Sequence, residues 1–296
     1  MKYKLENEYL SLTFDTLGAT ITSIKDTLGN EYLWQGDETY WKGQAPVLFP
    51  ICGSIRNNQA KTIDGDIVKM PRHGLVRHLE FECEHQEDNY ILFSLYTNHD
   101  LYESYPFKFK LMIQYILKGK EIVVKYLIEN YGDKRMPFFI GAHPALNCPL
   151  FENETYEDYY LEFEKEETLT IPTPIKQSGL IDFDKRFEFM QNQRFISLSY
   201  QLFFVDSLIL DQIQSRNVKL KSKKSNYQVE VSFEDFKYLV LWTSANHGPF
   251  IAIEPWNGLS TGLDESDIFD EKRNIQYVEP NHTNVYSYSI NIISAK

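Results

Sequence analysis

Between Phe107 and Ile128, apolar and polar side chains alternate with a period of two on either side of a Lys118-Gly119-Lys120 turn. Phe107, Phe109, Leu111, Ile113, Tyr115 and Leu117 share one face, and Lys108, Lys110, Met112, Gln114 and Ile116 the other. Beyond the turn, Ile122, Val124, Tyr126 and Ile128 resume the apolar set. Successive side chains of a strand point to opposite faces, so this pattern demands a hairpin with one buried face. Similar runs predict strands at 9–14, 19–25, 79–84, 90–97, 159–164, 217–222, 227–233, 238–243, 249–254 and 284–293. Ile63-Asp64-Gly65-Asp66 offers a two-residue Asp-Gly hairpin turn. Helical periodicity is nearly absent, with short helical turns expected only near 100–105, 264–271 and 197–202. So many short strands, with no Pro/Gly/Ser-rich linker, predict an all-β sandwich or barrel in one domain spanning 1–296.

Composition narrows the function classes. The 296 residues carry 30 Lys and Arg against 42 Asp and Glu, a formal charge of −12. A nucleic-acid binder would show a basic footprint, and this chain shows none overall. The N-terminus lacks a signal-peptide apolar core. The longest apolar runs, such as Pro46-Val47-Leu48-Phe49-Pro50-Ile51-Cys52, are far too short to span a bilayer. Cys52, Cys83 and Cys148 form no C-x-x-C pair and no metal-ligand spacing. Three scattered cysteines read as buried, reduced thiols, which fits a cytoplasmic protein. The acidic 152–167 stretch reads as a solvated loop and strand.

Two ionisable residues sit directly before proline within apolar runs. One is His143 in Phe138-Phe139-Ile140-Gly141-Ala142-His143-Pro144; the other is Glu254 in Phe250-Ile251-Ala252-Ile253-Glu254-Pro255-Trp256. The residue before proline favours extended backbone, and proline ends or edges a strand. Each run is therefore expected to deliver its ionisable group to a strand end beside aromatic walls. One potential acid and one potential base are what proton transfer without a cofactor requires. Arg56 follows an apolar strand, and Arg72, His73, Arg77 and His78 make 72–78 the densest positive segment of an acidic chain. Asp206 lies between two apolar runs, where Asp commonly serves a turn. The chain has no G-x-G-x-x-G, P-loop, G-x-S-x-G or H-E-x-x-H motif.

In order along nearly the whole chain, Leu17-Gly18-Ala19-Thr20-Ile21, Phe49-Pro50-Ile51 leading to Arg56, His73-Gly74, Tyr105-Pro106-Phe107, His143-Pro144 with Asn147, and Glu254-Pro255-Trp256 resemble the aldose 1-epimerase (galactose mutarotase-like) family, in its LacX-type branch. The resemblance implies a one-domain β-supersandwich. It implies His143 as general acid toward a sugar ring oxygen and Glu254 as general base at the anomeric hydroxyl. His73 and Arg56 would hold the ring-oxygen side and sugar hydroxyls, and Asp206 would bind hydroxyls. Acid and base are expected on opposite sides of one sugar-sized pocket. No cofactor and no metal are implied, and the partner is a small sugar rather than nucleic acid or membrane. A monomer or weak homodimer is expected.

His73-Gly74-Leu75-Val76-Arg77 is also similar to the hexose-6-phosphate mutarotases, in which an Arg after the His-Gly helps hold a phosphate. A phosphorylated hexose is therefore an alternative substrate, with Arg77 as its binder. Two further readings stand beside these. One is a carbohydrate-binding or sensing protein without turnover. The other is a glycosidase or lyase using Glu254 and Asp206 as its carboxylates.

Overall fold

The computed structural model describes residues 1–294. The alternating hairpin folds as its pattern requires. Phe109–Lys118 pairs with Glu121–Asn130, Lys118 opposite Glu121, and Gly119 turns the chain at φ 58°. A glycine at the first position of a two-residue loop is what a type II′ hairpin needs. The apolar set from Phe107 to Ile128 is buried throughout. This hairpin lies within a nine-stranded antiparallel sheet in the order Leu180–Ser197, Tyr159–Ile175, Asn217–Ser222, Gln228–Ser232, His282–Ile292, Glu121–Asn130, Phe109–Lys118, Tyr90–Tyr96, Glu82–Gln86.

A second sheet runs Leu208–Leu210, Tyr238–Trp242, Phe250–Asn257, Ile140–Ala142, Val47–Leu48, with Ala145–Asn147 also pairing the central strand. One hydrophobic core fills the space between the sheets. Phe49 meets Phe109 at 5.0 Å and Phe138 at 5.9 Å. On the other flank, Phe14 of a three-stranded sheet meets Tyr115 at 4.7 Å. Among the described residues, helix is confined to His99–Ser104, capped by the Asn98 side chain, and to single 3-10 turns that include Tyr200–Phe203 and Phe269–Glu271. No helix among the described residues is long and apolar enough to cross a membrane.

Four expectations are corrected. The 59–69 hairpin closes through Thr62 and Asp66, with Gly65 at φ 90°, so its loop has three residues rather than two. That is the Gly-terminated three-residue turn. The acidic stretch is not simply solvated. It enters a strand of 17 residues, Tyr159–Ile175, paired with Leu180–Ser197 through several register shifts. Glu154 and Glu167 are buried in it, and Glu167 accepts from the Ser215 backbone at 2.7 Å and its hydroxyl at 2.6 Å. Cys52 and Cys148 are buried, but Cys83 is only partly so.

The fourth correction concerns proline. His143 does fall at a strand end, between Ile140–Ala142 and Ala145–Asn147, but Glu254 lies mid-strand and Pro255 continues the ladder opposite Leu239. The physical reason is local. The backbone N–H of Ile253 donates to the Pro144 carbonyl at 3.1 Å. N–H groups alternate sides along a strand, so the nitrogen of residue 255 faces the same neighbour. Register puts Ala142 opposite residue 255, where the pairing of Ile140–Ala142 with the central strand stops after Gly141, so the missing donor falls at the end of a short ladder.

Candidate functional site

Phe250–Asn257 is buried along its whole length. Period two places Ile251 and Ile253 toward the core and Ala252, Glu254 and Trp256 on the opposite face. Register sets Val240 opposite Glu254 and Trp242 opposite Ala252, so the same face continues onto Tyr238–Trp242. On the other neighbour, Gly141 lies opposite Trp256. A β-carbon on Gly141 would stand 2.9 Å from the Trp256 ring and 2.7 Å from Cys52 Sγ, so only glycine seats the indole here. His143 follows directly.

These side chains line a cavity of about 230 Å³. His143 Nε2 lies 3.3 Å from Glu254 Oε2. Acid and base therefore stand side by side on adjacent strands, not across a pocket. The Trp41 ring stacks on the His143 imidazole at 4.7 Å, and Trp242 meets it edge-on at 5.6 Å. Those rings dry the site, and the charges respond. Burial pushes the His143 imidazole down to about 3, with Arg77 and Arg72 adding to the fall. Burial also drives the Glu254 carboxyl well above the ordinary carboxylate range, against the pull of Arg72. Both shifts disfavour the charged forms.

His73 enters from a turn with backbone in the left-handed region, φ 67°. Its N–H donates to the Gly53 carbonyl at 2.7 Å, and the Gly53 N–H donates to His73 Nδ1 at 3.2 Å. Burial, then the charges of His143, Arg72 and Arg77, holds the ring well below the usual imidazole range. A neutral ring accepting at Nδ1 carries its proton on Nε2, so His73 is a fixed donor. Gly74, at φ 81°, fits because a β-carbon would fall 2.1 Å from the Phe49 carbonyl oxygen. The spacing of Phe49-Pro50-Ile51 and His73-Gly74 is thus one contact read twice.

Asp206 also reaches the cavity, at a strained φ of 97°. Its Oδ1 accepts from the Trp242 indole at 3.2 Å, and Oδ2 lies 3.8 Å from Arg72. Arg72 and Arg77 line the same space. Arg77 Nε is buried beside the cavity without a hydrogen-bond partner, whereas Glu254 Oε2 has the His143 imidazole at 3.3 Å and the Trp256 indole beside it. An unpaired buried polar atom is costly and rare, and one at this cavity suits a polar ligand.

Arg56 is the expected site residue that the structure does not bring to the cavity. Its guanidinium is bound by Asp267 and by the Gly262, Leu263 and Glu265 carbonyls, on the loop after the central strand. That polar cage engages both terminal nitrogens of the planar guanidinium. Sequence reasoning missed Trp41, Trp242, Ser207 and Val240 as lining residues. Trp242 and Val240 were reachable from strand phase, whereas Trp41 lies in an irregular segment with no periodicity to place it.

Comparison with known proteins agrees with the fold. A sequence model of the aldose 1-epimerase family matches residues 1–266. The plasmid-encoded protein LacX of Lactococcus lactis subsp. lactis is 45% identical over 301 residues, covering 99% of this chain and 100% of its own. Among solved structures, the galactose mutarotase related enzyme from Lactobacillus acidophilus superposes with a TM-score of 0.93 at 28% identity, over 100% of this chain and 98% of that one. A galactose mutarotase-like protein from Lactobacillus casei ATCC 334 shares the fold, with a TM-score of 0.90 at 24% identity over 98% of this chain and 99% of that one.

Proposed function

The chain belongs to the aldose 1-epimerase family, and on that premise we propose that it interconverts the α and β anomers of an aldohexose by acid/base ring opening. The observation that carries this reading is the direct His143–Glu254 contact at 3.3 Å. The ring oxygen and the anomeric hydroxyl of a sugar are bonded to one carbon, so their acid and base must stand close together. In the reactive form the pair's proton sits on His143 and Glu254 is ionised, a state reached by proton transfer across the 3.3 Å contact; His143 then donates to the ring oxygen while Glu254 takes the hydroxyl proton. The C1–O5 bond breaks and the aldehyde forms. Rotation about C1–C2 and closure on the other face return both protons. The pair begins and ends with one proton, so each half-reaction restores it for the other. Oxidation state does not change, and the chemistry asks for no cofactor.

His73 Nε2–H supports the ring-oxygen side, where only a donor is useful. Asp206 and Arg72 supply an acceptor and a donor for sugar hydroxyls. Trp256 and Trp242 offer apolar walls for a sugar face. A glycosidase would rely on Glu254 and Asp206 together, but Asp206 is tied to Trp242 and Arg72, and the partner beside Glu254 is an imidazole.

Exchange of α-glucose and α-galactose, followed by polarimetry, tests the reading. His143→Asn and Glu254→Gln should each lower kcat by about 10²–10⁴-fold, the usual worth of a positioned acid or base. Wild-type rates equal to both variants, with sugar still bound by calorimetry, would instead identify a binding protein.

A second reading, a hexose 6-phosphate substrate, is favoured by Arg77, whose Nε is buried without a partner beside the cavity. Arg suits phosphate through its planar fork. On this reading Arg77→Gln raises KM for glucose 6-phosphate at least about tenfold, roughly 1.4 kcal/mol, and leaves glucose unchanged. Equal effects on both sugars would remove it.

A further inference from the structure

Beside the acid/base cavity lies a larger groove of about 440 Å³. It runs along Leu17, Thr20, Thr22, Gln44 and Pro46, and it shares two lining residues with the cavity, Trp41 and Arg77. Trp41 is thus a wall between two spaces. Its ring is fixed on the cavity side, stacked on His143 at 4.7 Å with the planes 27° apart and edge-on to Trp242 at 5.4 Å. Near the groove it rests against Gly43, where an added β-carbon would fall 2.3 Å from the ring. Nothing larger than glycine leaves the indole this position.

The segment carrying Trp41 is held through its backbone. The Trp34 indole donates to the Trp41 carbonyl at 2.7 Å, the Tyr40 and Trp41 N–H groups both reach the Asp37 carbonyl, and the Asn246 side chain donates to the Thr39 carbonyl at 2.6 Å. None of these bonds uses the Trp41 side chain. Removing the indole leaves these bonds in place, although it also removes the ring's packing on Trp242 and Phe250.

We propose that Trp41 is a specificity-determining residue: its indole closes the catalytic cavity against the neighbouring groove and restricts the enzyme to single sugar rings. The proposal rests on the anomer-exchange reading, since it names what that site admits. A cavity of about 230 Å³ suits one hexose, and the groove is the space a second ring would occupy if the wall were opened. The groove has the mixed character that a sugar ring requires, with the apolar faces of Leu17 and Pro46 beside hydroxyl and amide groups.

The test compares glucose with three reducing disaccharides, laminaribiose, maltose and isomaltose, whose second ring leaves through the 3-, 4- and 6-positions. Wild type is expected to exchange glucose far faster than any of them. Trp41→Ala should raise kcat/KM for at least one disaccharide relative to glucose by about tenfold or more, and the linkage that gains identifies the sugar position facing the groove. Trp41→Phe, which keeps a smaller ring on His143, should raise the disaccharide-to-glucose ratio less than Trp41→Ala. Disaccharide-to-glucose ratios unchanged in Trp41→Ala for all three linkages would overturn the proposal, as would wild-type turnover of disaccharides equal to glucose. If the alanine variant loses exchange because His143 has lost its stack, calorimetry decides: a partition predicts tighter disaccharide binding than wild type, and a purely supporting role predicts none. Absence of wild-type exchange on every sugar would sink the anomer-exchange reading, while the calorimetric comparison would still decide the role of Trp41.

Discussion

His143 and Glu254 make opposite demands on the fold as pH changes, and the signs can be worked out. Folded His143 is held down at about 3, whereas an unfolded imidazole titrates near its ordinary value, about 6.5. Its contribution to stability is present above the unfolded value and is lost as pH falls from there. Glu254 is raised, so its contribution is present below the unfolded carboxylate value and is lost as pH rises through the folded one. The two slopes have opposite signs and oppose each other in wild type. His143→Asn removes one slope and uncovers the other. Between pH 7 and pH 5, the stability of wild type should fall relative to His143→Asn by about 2 kcal/mol, read as urea midpoints at the two pH values. A difference that stays constant would mean that the folded imidazole titrates normally and that the cavity is wet.

Among the elements, the turn carrying His73 and Gly74 does the most to place the site. Its geometry depends on left-handed backbone at both residues and on contact with the Phe49 carbonyl, which also accepts the Leu75 N–H at 2.9 Å. Gly74→Ala would force a β-carbon into that carbonyl, and a methyl group cannot be moved aside as a long side chain can. The variant should lose about 2 kcal/mol or more by urea unfolding. It should also lose exchange activity in the fraction that remains folded, because His73 moves with the turn. Full activity per folded molecule would show that His73 is not needed where it stands.

The same elements show what could be read without coordinates. Hairpins such as 109–130 were legible because one buried face imposes period two, and His143-Pro144 and Glu254-Pro255 were legible because X-Pro inside an apolar run is unusual. The mid-strand position of Glu254 was not legible, because proline is tolerated there only where the pairing with a strand distant in sequence, Ile140–Ala142, comes to its end. Arg56 failed for a related reason. Its partners lie on 262–267, and local sequence does not say which of two distant loops a guanidinium will meet. Trp41 was invisible because irregular segments carry no period.

At the scale of the molecule, the site is assembled from segments spread between residues 41 and 256 on one face of the smaller sheet, and the opposite face of that sheet belongs to the core. Core damage should therefore reach the chemistry only where it moves that sheet. Phe14 and Phe49 separate the two cases. Both are fully buried aromatics, Phe14 joining the three-stranded sheet to Tyr115 and Phe93, Phe49 joining the smaller sheet to Phe109 and Phe138. Truncation of either to alanine should cost about 3–5 kcal/mol from lost burial and the cavity left behind. Phe49 also carries the carbonyl against which Gly74 is seated, whereas Phe14 neither lines the cavity nor touches that turn. Phe49→Ala should thus lower exchange per folded molecule, and Phe14→Ala should leave it unchanged, with the folded fraction of each fixed by near-ultraviolet circular dichroism. Equal activity losses in the two variants would show that the sandwich transmits strain as a single body and that the site is not insulated by its own sheet.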